Sequence, residues 1–185
     1  MIEKLRQVLA NWNKKCITDS NLISSAVILP IFIKNGDYHV LFVKRTETVR
    51  DHKGQISFPG GHYEIQDRTL LNTALRECME EIGVPQNNVD VLGELDECAT
   101  LQTGYVISTF VGLIPYPFDF KIDRREISRT IEAPVSALLS EKDCSRACGN
   151  SRSVFHYDGE IIWGATAIIL SQFLEIWCGL TCNQF

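Results

Sequence analysis

Gly61-x5-Asp67-x8-Arg76-Glu77-Cys78-Met79-Glu80-Glu81-Ile82-Gly83-Val84 is the stretch on which the reading of this chain turns. Glu77, Glu80 and Glu81 stand at i, i+3 and i+4, so on an α-helix three carboxylates share one small patch. Like charges that close repel, weakly in water and by several kcal/mol where solvent is scarce. Either the patch is a solvated acidic face, or a cation lies among the carboxylates. Hard divalent ions that prefer oxygen, Mg²⁺ or Mn²⁺, suit the second arrangement. Around them, Leu71, Ala74, Leu75, Cys78 and Ile82 recur at spacings of three and four, an apolar stripe that faces a core. Asp67 reads as the N-cap, Gly83 as the C′ residue and Pro85 as the stop, which predicts a helix of roughly sixteen residues. The glutamates fall mostly off its apolar stripe.

The flanks of that helix narrow the choice. The stretch resembles the signature of the Nudix hydrolases, Gly-x5-Glu-x7-Arg-Glu-U-x-Glu-Glu-x-Gly-U with U a bulky aliphatic residue. Residues 76 to 84 follow it apart from Cys78 at the first U position, and the box runs from about 61 to 84. The front half departs: Asp67 replaces a glutamate, and one extra residue precedes Arg76. The coenzyme A diphosphatase branch of the family departs in the same way. That branch also carries Leu-Leu-Thr-x-Arg-Ser-x2-Leu-Arg-x3-Gly-Gln-x2-Phe-Pro-Gly-Gly upstream. Here Arg45, Arg50, Gly54, Gln55, Phe58, Pro59, Gly60 and Gly61 agree with it, whereas Phe42, Val43, Thr46 and Val49 are substitutions. The block Ile162-Trp163-Gly164-Ala165-Thr166-Ala167 is similar to the branch's C-terminal segment, so the resemblance covers about residues 24 to 172.

The resemblance implies an α/β/α sandwich with a mixed β-sheet. It also implies metal-dependent hydrolysis of coenzyme A or acyl-coenzyme A to 3′,5′-ADP and (acyl-)4′-phosphopantetheine, with Mg²⁺ or Mn²⁺ as cofactor. Two other readings stay open: an ADP-ribose or dinucleotide-polyphosphate pyrophosphohydrolase, and a Nudix-fold module that binds a nucleotide without turnover. Such modules generally lose box carboxylates, and all three are present here.

Water attacking a diphosphate needs neutralised charge and a positioned nucleophile, which divalent ions supply. Glu77, Glu80 and Glu81 are the candidate ligands, joined by the main-chain carbonyl of Gly60 or Gly61, since glycine lets backbone approach an ion. Arg76 is expected to pair with one glutamate and fix its rotamer. Glu126 is the candidate general base, because Glu126-Ile127-x4-Glu132-Ala133-Pro134-Val135 resembles a segment of the branch. Glu77 itself and Glu94, Asp96 and Glu97 compete for that role. Arg45, Arg50 and Lys53 are candidate phosphate contacts, with surface solubility as their plain alternative. Gln55 and Phe58 read as loop-shaping and core residues, Trp163 and Thr166 as packing. His52, His62 and His156 lack a Ser, Cys or Asp partner pattern and are assigned no catalysis.

Composition sets the outer bounds. At 185 residues, 45% apolar and 22% charged, the chain reads as one globular domain over 1–185. Its net charge of −5 and lack of a basic stripe argue against nucleic-acid binding, though not against a small anionic substrate. No apolar run approaches the roughly 18 residues that span a bilayer, so no membrane partner is expected. Ile2, Leu5, Val8, Leu9 and Trp12 place an amphipathic helix within residues 1–20, packed on the domain and unlike a secretory signal. Seven cysteines suggest no disulfide framework and imply a reducing, cytoplasmic setting. Cys144/Cys148 and Cys178/Cys182 could supply thiolates to zinc, but free thiols are the expectation. Homodimerisation is left open.

Strands are expected at Ser25–Lys34, Tyr38–Arg45, Ile56–Phe58, Val89–Leu95, Tyr105–Leu113 and Arg129–Glu132. A hairpin is expected around Asp158-Gly159, with helices at Val135–Leu139 and Gly164–Trp177.

Overall fold

Ile23–Lys34 forms β1, whose alternation decides what lies on each side of the sheet. Ala26, Ile28 and Phe32 face one apolar layer, and Leu29 and Ile31 face the other. The computed structural model describes residues 1–19, 21–48, 52–100, 103–147 and 154–182, with the backbone alone at 142–147 and 182. Asn35-Gly36, both in the left-handed region, turn the chain back into β2 (Asp37–Arg45). Then come β3 (Ile56–Ser57), β4 (Gly60–His62) and helix α2 (Leu70–Ile82). β5 (Asp90–Glu94), β6 (Cys98–Thr100), β7 (Tyr105–Leu113) and β8 (Ile127–Pro134) complete the large sheet.

The path of that sheet is β3-β2-β1-β7-β5, with β4 paired to β1, β6 to β7 and β8 to β2. β1 and β7 run parallel and every other pairing is antiparallel, so the sheet is mixed. β2 leaves β1 after Val40, and β4 takes up the vacated edge at Ser25–Val27. The link between β3 and β4 therefore crosses the place where the two strands part, and the functional residues gather there.

Helix α2 buries Ala74, Leu75, Cys78 and Ile82 on one face of the sheet. The opposite face is covered by α1 (Ile2–Ala10), α3 (Val135–Ala147) and α4 (Gly164–Cys182) through Leu5, Leu9, Leu138, Leu170 and Phe173, among others. The result is the expected α/β/α sandwich with a mixed sheet. β9 (Phe155–Tyr157) and β10 (Glu160–Ile162) form a separate hairpin about Asp158-Gly159. Lys44 and Arg129 hold it to the sheet through Glu160.

Several expectations shift. α2 begins after Thr69, whose side chain accepts from the Asn72 N–H, and not at Asp67; Gly83 ends it in the left-handed region. The N-terminal helix stops at Ala10, well short of 20. Beyond it the chain lies extended against the β5–β6 connection: Trp12 Nε1 donates to Asp96 (2.8 Å), Lys14 to Glu94 (2.6 Å) and the Ile17 N–H to Glu97 (2.7 Å). α3 runs further than Leu139, and α4 further than Trp177. Over Gly164–Thr181, α4 is long and apolar enough to cross a membrane by length and composition, contrary to the sequence expectation. One side of it, with Ala167, Ile169, Leu170, Phe173, Leu174, Ile176 and Trp177, is buried against the sheet, while Ile168 is exposed. Trp163, expected to pack, is half exposed, because β10 turns Ile162 inward and its successor outward. The cysteine pairs proposed for zinc lie outside the described residues in part: Cys148 wholly, and Cys144 and Cys182 in their side chains.

Candidate active site

Asp67 anchors the site from beneath. It closes a single 3₁₀ turn after Glu64 and is buried, with its carboxylate accepting from the Glu64 N–H (3.0 Å) and the Thr73 hydroxyl (2.8 Å). Arg76 Nε and Nη2 donate to its two oxygens at 2.8 and 3.1 Å. The guanidinium, with those other donors, holds Asp67 well below the usual carboxylate range although burial opposes it. Arg76 in turn is held firmly in its charged form, chiefly by Asp67. Its remaining donors fan outward: Nη1 reaches Glu77 (2.9 Å) and Glu80 (3.1 Å), and Nη2 reaches the His62 carbonyl (3.1 Å). One side chain thus ties the turn, the strand β4 and two of the three box glutamates together.

Glu81 points the other way, into the protein. It is only 3% exposed, and its carboxylate accepts from the Gly60 N–H at 3.3 Å. Arg45 on β2 lies 3.7 Å from it and 3.9 Å from Glu126, contacts too long for hydrogen bonds. Burial pushes the Glu81 carboxyl up to about 8, helped by the like charges of Glu77 and Glu126 and opposed by Arg45 and the Gly60 N–H. Burial likewise raises Glu77, against the pull of Arg76. Arg45 Nε is buried and has no hydrogen-bond partner among the described residues.

The three glutamates are therefore not gathered around one point, as helix spacing alone suggested. Among the described residues, no three acidic, histidine or cysteine side chains already surround a common centre. Arg76 draws Glu77 and Glu80 onto one of its nitrogens, while Glu81 turns inward to Gly60. Glu80 is 58% exposed at its side chain and stands furthest out. Half-buried Glu77 and buried Glu81 remain beside the Gly60-Gly61 backbone. A Cβ at Gly61 would sit 2.3 Å from a Glu77 oxygen, so only glycine lets that carboxylate reach the main chain there.

Glu126 comes to the same place from the loop before β8. Its side chain is 52% exposed, faces Arg45, and acts on both Glu77 and Glu81 as a neighbouring charge. Glu94, Asp96 and Glu97 are engaged elsewhere, holding the N-terminal segment through Lys14, Trp12 and Ile17. Of the candidate phosphate contacts, Arg45 lines the site, Lys53 is exposed on the turn before β3, and Arg50 lies outside the described residues. Phe58 is buried and stacks on Phe42 at 5.0 Å, the core role expected of it. The role of Asp67 as the buried partner of Arg76 was missed. No local spacing announces it, because Asp67 lies outside α2 and the pair meets only once the 3₁₀ turn has closed.

The NUDIX domain family model matches residues 24–129. The uncharacterized Nudix hydrolase NudL of Photorhabdus laumondii is 36% identical over 169 residues, covering 87% of this chain and 88% of that one. NudL of Yersinia enterocolitica is 32% identical, covering 84% and 82%. Among solved structures, the NUDIX domain of Shewanella oneidensis NrtR complexed with ADP ribose superposes with TM-score 0.59 at 17% identity, covering 91% and 96%. A NUDIX hydrolase from Alicyclobacillus acidocaldarius gives 0.60 at 18%, covering 86% and 93%. At such identities the structures speak for the fold alone. The sequence relatives carry the kinship: the chain belongs to the Nudix hydrolases and is a pyrophosphohydrolase of that family.

Proposed function

We propose that this chain hydrolyses the diphosphate of coenzyme A or an acyl-coenzyme A, giving 3′,5′-ADP and (acyl-)4′-phosphopantetheine. The observation that carries the reading is the pairing of half-buried Glu77 with buried Glu81 against Gly60-Gly61, framed by the very segment that resembles the coenzyme A branch. That segment, residues 41 to 61, supplies Arg45, the β3–β4 link and both glycines. Nudix hydrolases work with divalent metal ions, and the residues here fit one. Two carboxylates whose burial disfavours their charge lie beside a main chain stripped of side-chain bulk. A small dication removes that conflict. Glu77 and Glu81 would hold it, with Glu80 and the Gly61 carbonyl as further oxygen donors and Mg²⁺ or Mn²⁺ as the ions suited. When bound, the ion supplies Lewis-acid neutralisation of the diphosphate charge.

The chain's own residues do the remainder. Arg76 fixes the Glu77 rotamer from the Asp67 anchor. Arg45, whose Nε lacks a partner among the described residues and whose carboxylate contacts are loose, turns a charged fork toward a phosphate oxygen in this reading. Glu126, open to water, accepts a proton from the attacking water as its oxygen bonds to phosphorus. The bridging P–O bond breaks and the leaving phosphate carries away its electron pair.

A product-resolved assay of coenzyme A, ADP-ribose and diadenosine polyphosphates with Mg²⁺ or Mn²⁺ tests the reading. The expected products are 3′,5′-ADP and phosphopantetheine. Cleavage of another diphosphate with coenzyme A intact would replace the substrate, and melting shifts without product would favour a binding module.

A further inference from the structure

We propose that Asp123 is the positioning residue that holds Glu126 at the cleavage site, an inference that rests on the reading of Glu126 as the base. Glu126 sits on a loop, and loops place side chains loosely unless something ties them. Here the loop is tied to the catalytic helix itself. The Asp123 N–H donates to the Glu81 carbonyl at 3.0 Å, and the Lys121 N–H to the Ile82 carbonyl at 3.1 Å. These are carbonyls at the C-terminal end of α2 that lack partners within the helix. Gly83 makes the approach feasible, since a Cβ there would lie 2.7 Å from the Lys121 Cβ.

From that dock the chain reverses within four residues. The Asp123 carbonyl accepts from the N–H groups of Glu126 (3.1 Å) and Ile127 (2.8 Å). The Asp123 carboxylate accepts from the Arg125 N–H at 2.9 Å and from its guanidinium at 2.6 Å. On the far side, the Thr46 N–H holds the Glu126 carbonyl at 2.8 Å. Glu126 is therefore suspended between a turn closed by Asp123 and the end of β2, one residue from Arg45. The same residue, Glu81, offers its carboxylate to the site and its carbonyl to the loop, so base and proposed ligand share one registration. Lys121 docks the loop further back, and among the described residues Asp123 is the one bonded both to α2 and to the Glu126 N–H. The guanidinium pair is exposed and contributes little; the main-chain N–H of Arg125 is the contact that shapes the turn.

The test is a cycle of Asp123→Ala, Glu126→Gln and the double variant, assayed on the diphosphate that the wild type cleaves, coenzyme A first. A misplacement of about 1 Å lowers turnover by up to about 100-fold, so Asp123→Ala is expected to lose about 30-fold in kcat with KM within about threefold. Asp123→Asn, which keeps an oxygen for the Arg125 N–H, is expected to recover to within about threefold of wild type. In the Glu126→Gln background, Asp123→Ala should change kcat by less than about twofold. A wild-type rate in Asp123→Ala, or an equal loss in both backgrounds, overturns the proposal while leaving Glu126 as base. A wild-type rate in Glu126→Gln instead removes the base assignment. Should Asp123→Ala fail to fold, Asp123→Glu keeps the charge but displaces the acceptor by a methylene. It is expected to lose about tenfold in kcat, and a wild-type rate there overturns the proposal equally.

Discussion

Burial at Glu81 has consequences that a pH titration can read. Its folded-state value lies near 8 against an ordinary 4.5. Between those values the folded chain keeps a proton that the unfolded chain has released, so the metal-free protein loses stability as pH rises through that window. Glu77 shifts in the same direction. Asp67 works oppositely: its depressed value contributes stability above about pH 4, lost only as pH falls further. Thermal melts in chelator should therefore decline from pH 5.5 to 8.5. Glu81→Gln should flatten that decline, gain on the order of 2 kcal/mol at pH 8 and lose nearly all turnover. A second contrast separates adjacent glycines. At Gly61 an added methyl meets the end of the Glu77 side chain; at Gly60 it meets the Ala26 carbonyl and the Val27 Cα. Gly61→Ala is expected to fold with a near-normal melting temperature and at least about tenfold lower activity. Gly60→Ala should unfold several degrees earlier, costing about 2 kcal/mol. The chemical identity of these residues was legible from spacing. Their orientation was not, because helix geometry places Cβ atoms, whereas Arg76, Arg45 and Gly60 decide where each carboxylate goes.

At the scale of elements, α2 depends on what lies before and after it. Arg76→Ala removes the partner of a buried Asp67, the main-chain tie to His62 and the restraint on Glu77. Urea unfolding should register a loss of about 3 kcal/mol, as for a broken buried ion pair, with activity falling alongside. Gly83→Ala combines a positive φ of 75° with a clash against Lys121, so it should cost about 2 kcal/mol and loosen the loop that carries Glu126. The apolar stripe and Gly83 announced the helix correctly. Its start did not read correctly, because Asp67 and Thr69 are both good caps and only the tertiary pull of Arg76 assigns Asp67 elsewhere. Strands with long apolar runs, such as β1, β2 and β7, were visible in advance. β4 and β6, three residues each, carry no periodicity of their own and exist because β1 and β7 offer free edges.

Over the whole molecule, the parting of β1 and β2 makes room for the site, between helical layers on the two faces of the sheet. The family resemblance foretold the sandwich; no local pattern in the sequence encodes where two strands diverge. The N-terminal segment was harder to foresee, since its extended course depends on Asp96 and Glu97 some eighty residues away. A bound dication would join α2 to β4 across the layers, raising the melting temperature with the logarithm of ligand over its Kd. Crystals soaked in Mn²⁺ and measured for anomalous scattering should give a peak bonded to the Glu77 and Glu81 carboxylates beside Gly61, absent from Glu81→Gln. A wild-type map without that peak, with Glu77 still on Arg76 and Glu81 still turned to Gly60, would contradict it.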